Sequence, residues 1–260
     1  MKNSSIGYGP SKLKHMKDLA KISVFSFTLL VLLSILFGSC KKKDNNPSNP
    51  APEIVTDIEL NIYHTVKIGT QIWMVENLRT RTYNDGDTVP MLLEYSVTDT
   101  TPRYIWYNNN DFIYRFAYGA LYNWYAVNTG KLAPKGWHVA SYNEWMTLIN
   151  YLGGASVAGG KMKTKGDLQH GDGLWWPPNT GATNESGFSA FPAGECRVMD
   201  SIWFNGNNTQ AHWWSSTREH NFSWPFDFPW SFEVIQDTTS IRFLNHWPGN
   251  MLYSVRCIKN

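Results

Sequence analysis

The 260 residues predict an α+β domain, and three local patterns carry that prediction. Ser141-Tyr142-Asn143-Glu144 is a capping box placed just before Trp145, Leu148, Ile149 and Leu152, which fall at i, i+3, i+4 and i+7. This opens an amphipathic helix that Gly153-Gly154 closes. Residues 61–80 alternate apolar and polar positions on either side of Gly69-Thr70, the pattern of a β-hairpin. Leu252 to Ile258 alternate again and include β-branched residues, so the chain is expected to close a sheet near its end.

Taken in order, the chain opens with Lys12, Lys14, Lys17 and Lys21, then an apolar run from Ile22 to Phe37, then Gly38-Ser39-Cys40. A charged stretch, an apolar stretch and a small-residue cleavage site make residues 1–39 a signal peptide, because about 16 residues fall short of the roughly 20 that span a bilayer. Met16 would open a leader of more usual length, and either start gives the same mature chain. Residues 40–58 begin with Cys40 and three lysines and are rich in Asn, Ser and Pro, with almost nothing to bury, so they read as a flexible tether. Residues 59–260 are the folded body. Within it, Asn84-Asp85-Gly86-Asp87 has the chemistry of a tight turn, and the same oxygens make Asp85 and Asp87 weak calcium candidates. Ala117 to Asn128 bring Leu121, Trp124 and Tyr125 to one side at helical spacing, which predicts a short helix and brings the expected helices to two. Beyond Gly154 the chain is rich in Gly, Asn, Trp and Pro, and short strands joined by long aromatic-rich loops are expected.

Outside the first 39 residues, 18 basic residues face 20 acidic ones, which excludes a basic nucleic-acid footprint. Thirteen each of Trp, Tyr and Phe are more large rings than a core of this size needs, so loops must pack through aromatics. Trp213 and Trp214 are expected inside. Trp224, Phe226, Phe228 and Trp230, separated by prolines and an aspartate, are the candidates for stacking on a sugar or anchoring a partner, with simple packing as the alternative. His138 lies in an apolar stretch and reads as structural, while His170, His212, His220 and His246 have no metal-ligand spacing. No catalytic set and no cofactor are expected. Cys196 and Cys257 leave two readings open, a disulfide or two buried free thiols.

Leu36-Phe37-Gly38-Ser39-Cys40 resembles a bacterial lipobox, which implies a diacylglycerol on Cys40 and anchoring to a lipid bilayer by more than one acyl chain. The expected location is the bacterial outer membrane, facing the periplasm or the cell surface. Val66-Lys67-Ile68-Gly69-Thr70-Gln71-Ile72-Trp73-Met74-Val75-Glu76-Asn77-Leu78 and the run from Tyr118 to Val127 resemble the Fibrobacter succinogenes major paralogous domain family. Gly136-Trp137-His138-Val139, Gly159-Gly160-Lys161-Met162-Lys163, Asn184 to Gly194, Trp213 to Thr217 and Ser254-Val255-Arg256-Cys257 continue the resemblance in order. It implies a C-type-lectin-like domain with two helices, a twisted antiparallel sheet and long aromatic-rich loops, similar in pattern to sulfatase-modifying proteins. Members commonly carry a cysteine just before the stretch that begins at Pro134, where this chain has Ala133. If that cysteine pairs with the one near the C-terminus, Cys257 has lost its usual partner, and Cys196 is either a replacement or an unrelated free thiol. The copper-binding cysteine pair of the sulfatase-modifying enzymes and the Glu-Pro-Asn or Gln-Pro-Asp triplets of calcium-dependent lectins are both missing from the sequence. The expected function is a membrane-anchored envelope lipoprotein whose non-catalytic domain binds a glycan or an envelope protein. The alternative is a structural envelope protein with no small ligand.

Overall fold

The computed structural model describes residues 53–94, 100–220, 227–245 and 250–260. The signal peptide, Cys40 and most of the tether lie outside these residues. The tether's last part does not: Ile54–Thr56 forms strand β1 and pairs with the first residues of β2 (Ile62–Ile68), so the folded body includes residue 54 onward. Between them Asp57 ties a turn, its carboxylate accepting from the amides of Glu59 and Asn61, the Asn61 side chain and the Tyr63 hydroxyl.

The hairpin expected around Gly69-Thr70 is present as β2 and β3 (Gln71–Met74), with Ile68 opposite Gln71 and Thr65 opposite Met74. These strands lie in a five-stranded sheet of order β1-β2-β3-β13-β6, where β6 is Trp137–Val139 and β13 is Cys257–Lys259. The second, larger sheet runs β11-β10-β9-β7-β12-β5-β4, with β8 paired to β7. Its strands are β4 (Tyr104–Ile105), β5 (Leu121–Asn123), β7 (Ala193–Val198), β8 (Ile202–Asn207), β9 (Gln210–His220), β10 (Asp227–Ile235), β11 (Ile241–Asn245) and β12 (Met251–Tyr253). All pairings are antiparallel except the short contact of β7 with β9.

The described residues hold four α-helices rather than two: α1 (Asp111–Tyr118), α2 (Trp124–Asn128), α3 (Tyr142–Tyr151) and α4 (Ala155–Met162). Residues 117–128 are not one helix. Gly119, at φ 79°, sits where a Cβ would fall 2.8 Å from the Asn77 Cβ, so the chain turns there and enters β5 before α2 begins. The expectation of short strands and long loops after Gly154 holds in part: residues 163–192 form no helix or strand, and β7, β8 and β11 are short. But α4 follows Gly154 directly, and β9 and β10 run to 11 and 9 residues. The aromatic stretch concealed this, since Ala211 to Ser215 of β9 and Ser231 to Val234 of β10 are buried on both faces, polar and apolar residues alike. The closing run divides as well, with Met251–Tyr253 in the large sheet and Cys257–Lys259 in the small one.

Helix α3 joins the two sheets. Its capping box is complete, Ser141 accepting from the Glu144 amide while the Glu144 carboxylate accepts from the Ser141 amide. From this fixed start Trp145 meets Trp73 of the small sheet at 5.0 Å and Phe232 of the large sheet at 4.8 Å, stacked within 17°. Helix α4 is clamped against the loop before β11. A Cβ on Gly159 would lie 2.3 Å from the Ser240 carbonyl oxygen, and that obstacle is backbone. Gly159→Ala is therefore expected to destabilise the fold by about 2–3 kcal/mol, although alanine is the better helix former, as read from urea unfolding.

Candidate functional site

The sequence-selected aromatics divide. Trp224 and Phe226 lie outside the described residues. Phe228 and Trp230 stand on β10 and are half-buried, and the Trp230 ring packs on Tyr142 of α3 at 4.8 Å and near Phe243 of β11 at 6.2 Å. Trp213 and Trp214 are fully buried, as expected, and their indoles donate to Asn77 Oδ1 and the Tyr122 carbonyl. Asp85 and Asp87 form the turn proper: Asp85 accepts from the Asp87 amide and pairs with Lys131 at 2.6 Å. No group of acidic, His or Cys side chains among the described residues has the arrangement of a metal site. His138 is held between Asn260 and Glu144, at 2.7 and 2.8 Å.

Cys196 and Cys257 are free and buried. Cys196 faces Leu252 and Phe204 in the large sheet, whereas Cys257 faces Val139 in the small one, so the bridge left open by the sequence does not form. Burial raises both thiols well above their ordinary pKa, which keeps them protonated and unreactive.

The opposite face of the large sheet carries a constellation that the sequence reading missed. Register places Arg242 beside Glu233, Glu233 beside His212, and Glu195 across from Asn205. Arg242 pairs with Glu233 at 2.7 Å, and Arg197 pairs with Glu195 through both Nε and Nη2, at 2.7 and 2.6 Å. His212 lies between, 3.6 Å from Glu233, bonded to Gln210 at 3.2 Å and stacked on Tyr253 at 4.9 Å. Both carboxylates are buried beneath guanidinium groups that are about half exposed. Burial pushes the Glu233 carboxyl up and the Arg242 charge opposes that rise. Glu195 Oε2 is buried without a hydrogen-bond partner, an arrangement that costs about 1–3 kcal/mol where nothing fills it.

This row opens toward solvent at Trp203, which stands opposite Arg197 on β8 and is 58% exposed. Trp203, Arg197, Asn205 and Glu195 thus share one sheet face, giving an indole, a guanidinium, an amide and a carboxylate within two ladder steps. Such a face can stack on an apolar ring surface and exchange hydrogen bonds with hydroxyls. It offers no nucleophile paired with a base, since His212 is enclosed by Gln210, Glu233 and Tyr253. The legible signal was Glu195-x-Arg197, alternate charges on a strand, with Glu233 interrupting an apolar one.

The architecture is therefore that of an α+β domain, mostly sheet, with an open polar and aromatic face. Residues 66–259 match the model of the Fibrobacter succinogenes major domain family (Fib_succ_major), and the chain belongs to that family. Comparison with curated proteins and with solved structures gives no match.

Proposed function

We propose that the chain is an envelope lipoprotein, acylated at Cys40 and held to the bacterial outer membrane, whose C-type-lectin-like domain binds a glycan without catalysis. The lectin-like assignment is supported by the unit in which β6 leads directly into the capped helix bearing Glu144-Trp145. Glycan binding rests on one observation: a tryptophan 58% exposed on a sheet face, flush with Arg197 and Asn205 rather than folded into the core. Each arginine of the row is already balanced by its own glutamate, which favours a neutral sugar over a polyanion. Trp230 is assigned to packing, because its ring lies against α3.

The test is a glycan array probed with residues 50–260, which form a compact unit of their own. Trp203→Ala is expected to weaken binding roughly ten-fold, about 1.4 kcal/mol, with an unchanged melting temperature. Trp230→Ala is expected to lower stability by about 2–3 kcal/mol and to leave affinity intact. Failure of the intact domain to bind any glycan would favour the structural envelope reading. That reading draws on the burial of the family motifs Asn77, Trp213 and Arg256.

A further inference from the structure

Helix α1 is inverted. Its tyrosines point inward, Tyr114 packing on Tyr107 at 5.1 Å and on Tyr118 at 5.7 Å, while the more apolar Phe112 and Phe116 are 92% and 72% exposed. Ile113, 56% exposed, widens the stripe to about 100° of the helix. Leu60 and Ile62, 79% and 48% exposed, extend it onto the turn before β2. The two parts are joined, because Asn61 Oδ1 accepts from Arg115 at 3.2 Å and from Arg79 at 3.4 Å, and both guanidinium groups lie within 6 Å of the Phe116 ring. Leu60 holds φ 64°, a left-handed conformation that asparagine or glycine adopts more cheaply, so a large apolar side chain is presented there at the expense of backbone strain. Together these side chains expose on the order of 500 Å² of apolar surface, at the upper end of what a monomer leaves open.

The position of the anchor identifies the occupant. Glu53 stands thirteen residues after Cys40, and β1, which follows at once, pairs Thr56 with Ile62 at the edge of the patch. Thirteen residues reach at most about 45 Å and on average about 20 Å, so an acylated Cys40 holds this face at high effective concentration beside the bilayer. Lys41, Lys42 and Lys43 in the tether and Arg79, Arg81 and Arg115 around the patch, set against Asp44, Glu53, Asp57, Glu59 and Asp111, leave a small excess of positive charge where the tether enters the domain. We infer that Leu60, Ile62, Phe112, Ile113 and Phe116 form a membrane-docking face that inserts into the headgroup boundary of an anionic bilayer. The inference rests on the acyl anchor proposed above. Docking in this way would fix the orientation of the domain relative to its own membrane.

The test uses the full acylated chain in vesicles of phosphatidylethanolamine and phosphatidylglycerol. Cys196 and Cys257 are buried, so a nitroxide attaches selectively to Phe112→Cys, with Tyr151→Cys as control. Tyr151 lies against Gly69, at the far end of β2, about 20 Å from Ile62. The label at position 112 is expected to show a several-fold higher ratio of oxygen to nickel-chelate collision than the control. Adding Leu60→Asn and Phe116→Ser should remove that difference while the protein stays anchored. Equal ratios at both positions on vesicle-bound protein would overturn docking and leave the anchor intact. Shielding from both collision partners without vesicles would overturn it in favour of a protein partner. A mass showing Cys40 unmodified would overturn the anchor itself and this inference with it.

Discussion

Replacing Arg256 with methionine is expected to destabilise the domain by about 4–5 kcal/mol, close to the whole stability of an ordinary domain. The side chain is fully buried. Its guanidinium donates to Asn77 Oδ1 through Nε and Nη2 at 3.1 and 2.9 Å, and to the carbonyls of Met74, Val75, Phe188 and Ser189. It lies 4.3 Å over the Phe188 ring. One cation thereby joins the end of β3, the segment after it, the Phe188-Ser189 loop and the approach to β13. Burial lowers its pKa to about 9, which leaves it charged at neutral pH. Methionine fills much of the volume and supplies no donor, so four carbonyls would lose this partner in a dry site and Asn77 Oδ1 would keep only the Trp213 indole. Arg256→Lys is expected to recover only part of the loss, because an ammonium cannot match a planar five-donor fork. Urea unfolding of the three proteins at neutral pH checks this. A loss below about 1 kcal/mol for the methionine variant would mean that the guanidinium is not the junction described.

Arg256 also explains what could be read in the sequence. The hairpin and the capped helix were legible because their information is local: a glycine turn between alternating residues, and a serine three places before a glutamate. The stretches resembling the family were recognisable as text, but their purpose was not. Asn77, Phe188, Trp213 and Arg256 come from four separate stretches and meet at one buried point, so the family signature is largely a folding signature. The row of acidic and basic side chains behind Trp203 was invisible for a related reason. Its members lie on β7, β9, β10 and β11, and only the strand order sets them side by side. Helix α1 escaped notice because Asp-Phe-Ile-Tyr-Arg-Phe-Ala-Tyr has aromatics on two opposite sides, and nothing local says that the tyrosines turn inward.

Lys163 presents the same problem in a titratable form, and its consequence is a pH profile. It is fully buried after α4, and its ammonium donates to the carbonyls of Ile235, Gln236 and Thr238 at 3.0, 3.2 and 2.9 Å. Desolvation lowers its pKa from 10.5 to about 8, while the charge of Asp237 acts the other way. Because the folded value is the lower one, the unfolded chain binds more protons between pH 8 and 10.5, and stability rises with pH across that window. The full rise from this group is about 3 kcal/mol, since each pKa unit corresponds to roughly 1.4 kcal/mol. The free thiols and the buried Tyr63, Tyr122 and Tyr253 act oppositely: their folded pKa values are raised, so they lose stability as the unfolded chain ionises above about pH 9. Lys163→Met isolates the lysine, because those other contributions cancel in the difference between the two proteins. The variant is expected to be about 2–4 kcal/mol less stable at pH 7, having lost three charge-assisted bonds. Its stability curve should also lack the wild-type rise that begins near pH 8. Parallel curves from pH 7 to 10 would show that the ammonium is solvated rather than enclosed by the three carbonyls.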